Sequence, residues 1–189
     1  MIASRLDPNG PVPDVFLGGT CGGDMWRTPF EADLARRGRS FFNPQVDDWQ
    51  PWMVDLENRC IQESPVVLFP VLGSTLGIGS LGEIGFSVLA VLRSITSGRN
   101  RELIVLIEPE ADPSMIITVK QADGTKTKEH PGPALIQESN RLRALVRSKV
   151  LAESWRQGVW LVDTLPEMLS TMDRLLSMDH LPLTDRRTA

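Results

Sequence analysis

The chain has 189 residues, 41% hydrophobic and 23% charged, with a formal net charge of -4. That length suits one α/β domain able to bury most of its apolar surface, and the lack of a basic excess excludes a nucleic-acid polymer as the expected partner. Two cysteines and two histidines are too few for a disulfide framework or a zinc site.

No apolar run is read as reaching the roughly 18 residues of a membrane span, so no membrane is expected as partner. The N-terminus, MIASRLDPNGPVPD, lacks the apolar core of a signal peptide, and a cytoplasmic protein is expected. Tyrosine is absent, which leaves carboxyls, histidines and water as proton donors.

Residues 1–13, rich in Pro and Gly, read as a flexible lead into a single domain over 14–182, and 183–189 read as a mobile tail. Residues 14–18 (DVFLG) predict a buried strand. Thr28 and Glu31 have the spacing of a capping box, with Pro29 at the first helical position, so a helix is expected from Thr28 to about Gly38. A short strand over 40–43 (SFFN) and a helix over 52–63 follow. Residues 65–71 predict a third strand and 81–97 a strongly apolar helix. Residues 102–107 (ELIVLI) predict a fourth strand. Between 108 and 133 the pattern breaks, and 115–120 with Gly124 read as a small hairpin or a crossing to a partner subunit. A long helix is expected over 134–157, a fifth strand over 159–162, and a last helix opened by a second capping box, Thr164 with Glu167.

Strands alternating with helices predict a flavodoxin-like three-layer α/β/α fold with a five-stranded parallel sheet in the order 2-1-3-4-5. Ligands bind such sheets beyond the carboxyl ends of the strands, where strand order reverses. In this order the reversal lies between the first and third strands, and the loops there, 19–27 and 72–82, are the glycine-rich ones.

Glu83 is the carboxylate expected at the start of the helix after the third strand. A helix N-terminus favours an ionised acid, and an ionised carboxylate beside a ligand-sized gap is suited to covalent attack at a sugar carbon. The same placement also serves a plain first-turn acid complementing the helix dipole. Asp47 and Asp48 are candidates for binding a base or donating a proton to it, with Trp49 stacking on its face, or else they cap the turn at Asn43-Pro44. The first loop offers Gly19, Thr20 and Asp24 for a sugar or phosphate. Arg27 is either a phosphate fork or one half of an ion pair, and Trp26 is either a stacking platform or core. Asn140, Arg141 and Arg143 read as the solvated face of the long helix. Trp155 and Trp160 read as core or interface.

Three blocks, FLGGTCGGDMWR (16–27), FFNPQVDDW (41–49) and SLGEIG (80–85), resemble the nucleoside 2-deoxyribosyltransferase-like proteins over about half of the chain. The resemblance implies the same fold, an oligomer, and chemistry at the N-glycosidic bond of a nucleoside or nucleoside monophosphate without a metal or organic cofactor. It implies Glu83 as nucleophile, with Asp47 or Asp48 handling the base. Gly19, Thr20, Asp24, Trp26, Arg27, Asn43, Trp49, Ser80 and Gly82 would then line the substrate. The chain departs from the family pattern in two places: residues 76–82 contain no acid, and Ser64-Pro65 stands where an acid usually precedes the third strand. In the related deoxynucleotide N-hydrolases a Ser-x-Met segment reaches into a neighbouring subunit's site, a part Ser114 and Met115 would play here. Two further readings remain open. One is a non-catalytic nucleotide-binding module. The other is a phosphatase using Cys21, which has Cys-x5-Arg spacing to Arg27.

Overall fold

The computed structural model describes residues 10–21, 25–45, 50–98, 101–121, 123–156 and 158–177. The expectations placed on residues 1–9, on Asp24, Asp47, Asp48 and Trp49, and on the tail from 183 lie outside these. Residues 10–13 of the expected flexible lead are described. There Pro13 is buried and Val12 packs against the core.

Five parallel strands form the sheet: β1 (Val15–Leu17), β2 (Phe41–Phe42), β3 (Val66–Val71), β4 (Glu102–Ile107) and β7 (Val159–Val162). Their spatial order is β2-β1-β3-β4-β7, the order the sequence predicts, with β7 as the fifth strand. Register is fixed by side-chain alternation. Val15, Leu17, Val66, Leu68, Ile104 and Leu106 face one side, while Phe16, Val67, Phe69, Leu103 and Val105 face the other. A one-residue slip would exchange the two sets.

Helices α1 (Arg27–Arg36) and α5 (Leu165–Ser177) cover the first face, and α2 (Met53–Glu63), α3 (Ile78–Thr96) and α4 (Pro133–Glu153) cover the second. Phe16 stacks on Phe42 at 5.8 Å between centroids and meets Phe69 edge-on at 6.3 Å. Burying each such side chain is worth about 1.5–3 kcal/mol, so this cluster anchors the end of β1 to its two neighbours.

Several local expectations need correction. Helix α1 begins at Arg27, with no side-chain cap at its N-terminus. Glu31 accepts instead from Asn43 Nδ2 at 2.7 Å. The guanidinium of Arg27 has to reach back under β1, which draws residue 27 into the first turn. The second capping box does form, since Thr164 Oγ1 accepts from the Glu167 N–H at 3.2 Å. Its reciprocal bond is displaced by one residue, the Glu167 carboxylate accepting from the Asp163 N–H at 2.9 Å.

The segment after β4 is a hairpin of β5 (Ile117–Lys120) and β6 (Lys126–Glu129), antiparallel and turning at Gly124 with φ 87°. Met115, expected to reach a neighbouring subunit, is buried within its own chain. Arg143, read as solvated, is fully buried, whereas Arg141 is exposed and paired with Glu138. Trp155, read as core or interface, is 76% exposed.

Helix α3 starts at Ile78, three residues before the expected position. Gly77 supplies the left-handed turn at φ 66°, and the following glycines, taken from sequence as loop, lie inside the helix. The reading that no apolar run reaches the length of a membrane span is also corrected, because α3 reaches it by length and composition alone. Its row of Leu81, Ile84, Ser87, Val91 and Ser94 is buried against the domain, while Phe86 and Leu89 face outward and are exposed.

Candidate active site

The cavity of interest opens where strand order reverses, beyond the carboxyl ends of β1 and β3. Phe16, Gly18, Gly19 and Cys21 come to it from β1, and Gly79, Ser80 and Glu83 from α3. Glu57 and Ile61 come from α2, and Pro44 from the turn after β2. Its volume is about 170 Å³, below the roughly 300–1,000 Å³ of pockets that enclose a whole drug-sized ligand. A space of this size has room for about one ring of a larger ligand.

The wall from β1 needs its glycines. A Cβ on Gly18 would stand 2.8 Å from the Phe69 ring, and Gly19 combines φ 81° with a backbone so close to Pro70 that a Cβ would strike the Pro70 carbonyl oxygen. The Thr20 N–H donates to that same oxygen at 3.0 Å. The carbonyls of this loop turn inward onto Arg27. Its Nε donates to Leu17 O at 3.0 Å, Nη2 to Gly18 O at 2.9 Å, and Nη1 to Thr20 O at 3.2 Å. Gln45 Oε1 at 3.0 Å and Cys21 Sγ at 3.6 Å take the two remaining N–H groups.

The five donors of a guanidinium are thereby all engaged, and Arg27 has none left for a phosphate. Burial pulls its pKa down, while Cys21, Glu31 and Glu57 oppose the shift. Trp26 lies beneath, buried, with the guanidinium 4.4 Å from its ring centroid and its indole N–H donating to Thr20 O at 3.3 Å. Trp26, Thr20 and Arg27 therefore brace the loop from behind. A Cys-x5-Arg phosphatase needs its arginine donors turned toward the phosphate, and here those of Arg27 are turned onto the carbonyls of Leu17, Gly18 and Thr20.

On the opposite wall, Glu83 is the sixth residue of α3, and that helix has no acid in its first turn. The dipole argument for keeping Glu83 ionised therefore fails; the residue is exposed overall, and partial desolvation on its cavity side raises its pKa above the ordinary 4.5. In a helix each side chain leans over the turn before its own Cα, so Glu83 lies above Gly79 and Ser80. A Cβ on Gly79 would meet nothing within 4 Å, and its absence leaves the carboxylate uncovered.

Glu57 is the functional candidate that sequence reading missed. It sits on α2 beside the buried Leu56 and Cys60, with Ile61 one turn on. Burial first, and then the charge of Glu83, push its pKa up to about 7, against a smaller opposing pull from Arg27. An acid flanking the apolar stripe of a helix was the available signal, but solvated glutamates occupy the same position in most amphipathic helices.

Of the residues proposed from sequence, Gly19, Ser80 and Glu83 meet at one cavity. Gly82 is exposed on α3 and does not line it. Asn43 braces its turn, Oδ1 accepting from the Gln45 N–H at 2.8 Å. Among the described residues no group of three or more His, Cys, Asp or Glu could hold a metal ion.

No curated protein matches the chain. Residues 12–95, which include every described residue lining the cavity, match the family model described as nucleoside 2-deoxyribosyltransferase like.

Proposed function

We propose that this protein cleaves or exchanges the N-glycosidic bond of a nucleoside through a covalent glycosyl intermediate on Glu83, with Glu57 as proton donor. The observation that carries the reading is that two carboxyls share one cavity at the strand-order reversal, with the charge of Glu83 helping to raise Glu57 to about 7. Groups with separated pKa values in one site divide the acid and base roles between them. Ionised Glu83 attacks C1′, the C1′–N bond breaks, and the departing nitrogen takes the proton of Glu57. Glu57, now a carboxylate, accepts a proton from water or from an incoming base, which attacks C1′ and releases Glu83. Asp47 and Asp48 stay in the proposal as contacts for the base.

The charged side chains lining the cavity, among the described residues, are Glu57 and Glu83, both acids, and Arg27 is fully engaged elsewhere. This favours an unphosphorylated nucleoside over its monophosphate. A homo-oligomer belongs to the same proposal and is supported by the exposed Phe86 and Leu89 on α3.

The test is free-base release from ribo- and deoxyribonucleosides and their monophosphates, with Glu83→Gln beside wild type. Release from a nucleoside that is lost in the variant supports the reading. No release from any substrate, with or without an acceptor base, overturns it. If binding then persists unchanged in Glu83→Gln, the protein is a non-catalytic binding module.

A further inference from the structure

The loop that launches α3 is held from outside the site by a helix far along the chain. Arg143 of α4 has no exposed surface, and all five of its donors are engaged. Nη1 donates to Val71 O at 3.1 Å and Glu108 O at 3.0 Å, Nη2 to Leu72 O at 2.8 Å and Thr75 O at 2.5 Å, and Nε to Ser139 Oγ at 3.2 Å. The Ser139 hydroxyl in turn donates to Leu76 O at 2.8 Å. Two of the other three carbonyls of the loop are taken by backbone, Gly73 O by the Asp112 N–H at 2.8 Å and Gly77 O by the Leu81 N–H at 2.9 Å. The Glu108 carboxylate accepts from the Gly73 N–H. Gly77, turning at φ 66°, passes so close that a Cβ would collide with Val71 and stand 3.4 Å from Arg143 Nη2.

We propose that Arg143, with Ser139 one turn before it, is the positioning residue of Glu83. Together they hold loop 72–77 on the path that starts α3 at Ile78 and brings its sixth residue into the cavity. The physical reason is helical phase. At 3.6 residues per turn, moving the helix start by one residue swings a given side chain by about 100° around the axis, enough to take Glu83 out of the cavity. Carbonyls 71, 72, 75 and 76 fix that start, and the planar fork of Arg143 reaches four carbonyls and one hydroxyl at once, more than the three donors of an ammonium can serve. The inference rests on the assignment of Glu83 as nucleophile, but its main test does not need turnover.

The experiment compares Ser139→Ala and Arg143→Lys with wild type, using Arg147→Gln as control. Arg147 sits one turn further along α4 and contacts Ile107 O and Asp163, away from the loop. Three readouts are taken: native-state hydrogen exchange, titration of the Glu83 carboxyl by carbon NMR, and kcat against KM for base release. Freeing buried carbonyls should speed exchange of the amides of 73–82 by about tenfold while sheet amides are unchanged. The Glu83 titration should move back toward 4.5, and kcat should fall with KM little altered. The control should change none of these.

Lowered thermal stability with an unmoved Glu83 titration and no selective exchange in the loop would overturn the proposal and leave Arg143 a purely structural residue. If Arg143→Lys does not fold, Ser139→Ala decides alone. If wild type releases no base while the titration still shifts, the nucleophile assignment fails and the positioning role stands.

Discussion

Glu57 on α2 and Glu83 on α3 line one cavity, and the charge of Glu83 is among the causes that hold Glu57 protonated up to about pH 7. The relationship is directional. The negative charge of Glu83 makes ionisation of Glu57 harder. The pair therefore passes through a state with one carboxylate and one carboxylic acid, which is what attack at a sugar carbon with protonation of a leaving base requires.

The first prediction concerns the pH profile of base release. It should be bell-shaped, rising above the ordinary carboxylate pKa of 4.5 as Glu83 ionises and falling above about 7 as Glu57 loses its proton. Glu57→Gln should lower kcat by about 10²–10⁴-fold, the usual contribution of a positioned acid or base. It should also remove the alkaline limb. A retained limb would assign that titration to another group.

The same shift predicts a change in stability. A carboxyl with its pKa raised in the folded state stabilises the fold below the unfolded value near 4.5, and this is lost as pH rises toward 7. Because Glu57 is only half-buried, solvent screening reduces the effect to on the order of 1 kcal/mol. Glu57→Gln should therefore be more stable than wild type at pH 8 and equal to it at pH 4, as read by urea denaturation at the two pH values. Equal stability at both would show that the acid is not desolvated.

Gly79 offers a test of access. Its Cβ position is open space, yet it lines the cavity one turn before Glu83. Gly79→Leu should stabilise the helix by up to about 1 kcal/mol through propensity while filling the approach to the carboxylate. The expected outcome is a raised melting temperature together with loss of nucleoside binding by calorimetry. Unimpaired binding would place the substrate elsewhere.

Arg27→Lys should be costly despite the retained charge. A lysine cannot span Leu17 O, Gly18 O and Thr20 O together, and each buried carbonyl left without a partner costs about 1–3 kcal/mol. Denaturant melts should show destabilisation by about 3 kcal/mol or more. A phosphate-binding arginine would instead leave stability nearly untouched.

The sequence by itself determined the sheet. Runs such as ELIVLI and VVLFPV carry their strand identity in local apolar pattern, and the β-α alternation dictates a parallel order whose reversal falls between β1 and β3. The glycine-rich turn at Gly19 was legible for the same local reason, whereas Glu83, the sixth residue of its helix, lies deeper than a start-of-helix acid would. What only the tertiary structure decided is where each charged side chain goes. Glu57 and Arg143 both lie on amphipathic helices beside apolar residues, where sequence suggests solvent. Arg143 is buried because two of the carbonyls it satisfies lie 71 and 72 residues earlier, and Glu57 has a shifted pKa because packing buries it and a second helix then brings the charge of Glu83 to it. Periodicity reports which face of a helix is apolar. It does not report which buried carbonyl or carboxylate another part of the chain will bring against that face, and that long-range pairing sets the start of α3 and the chemistry of the cavity.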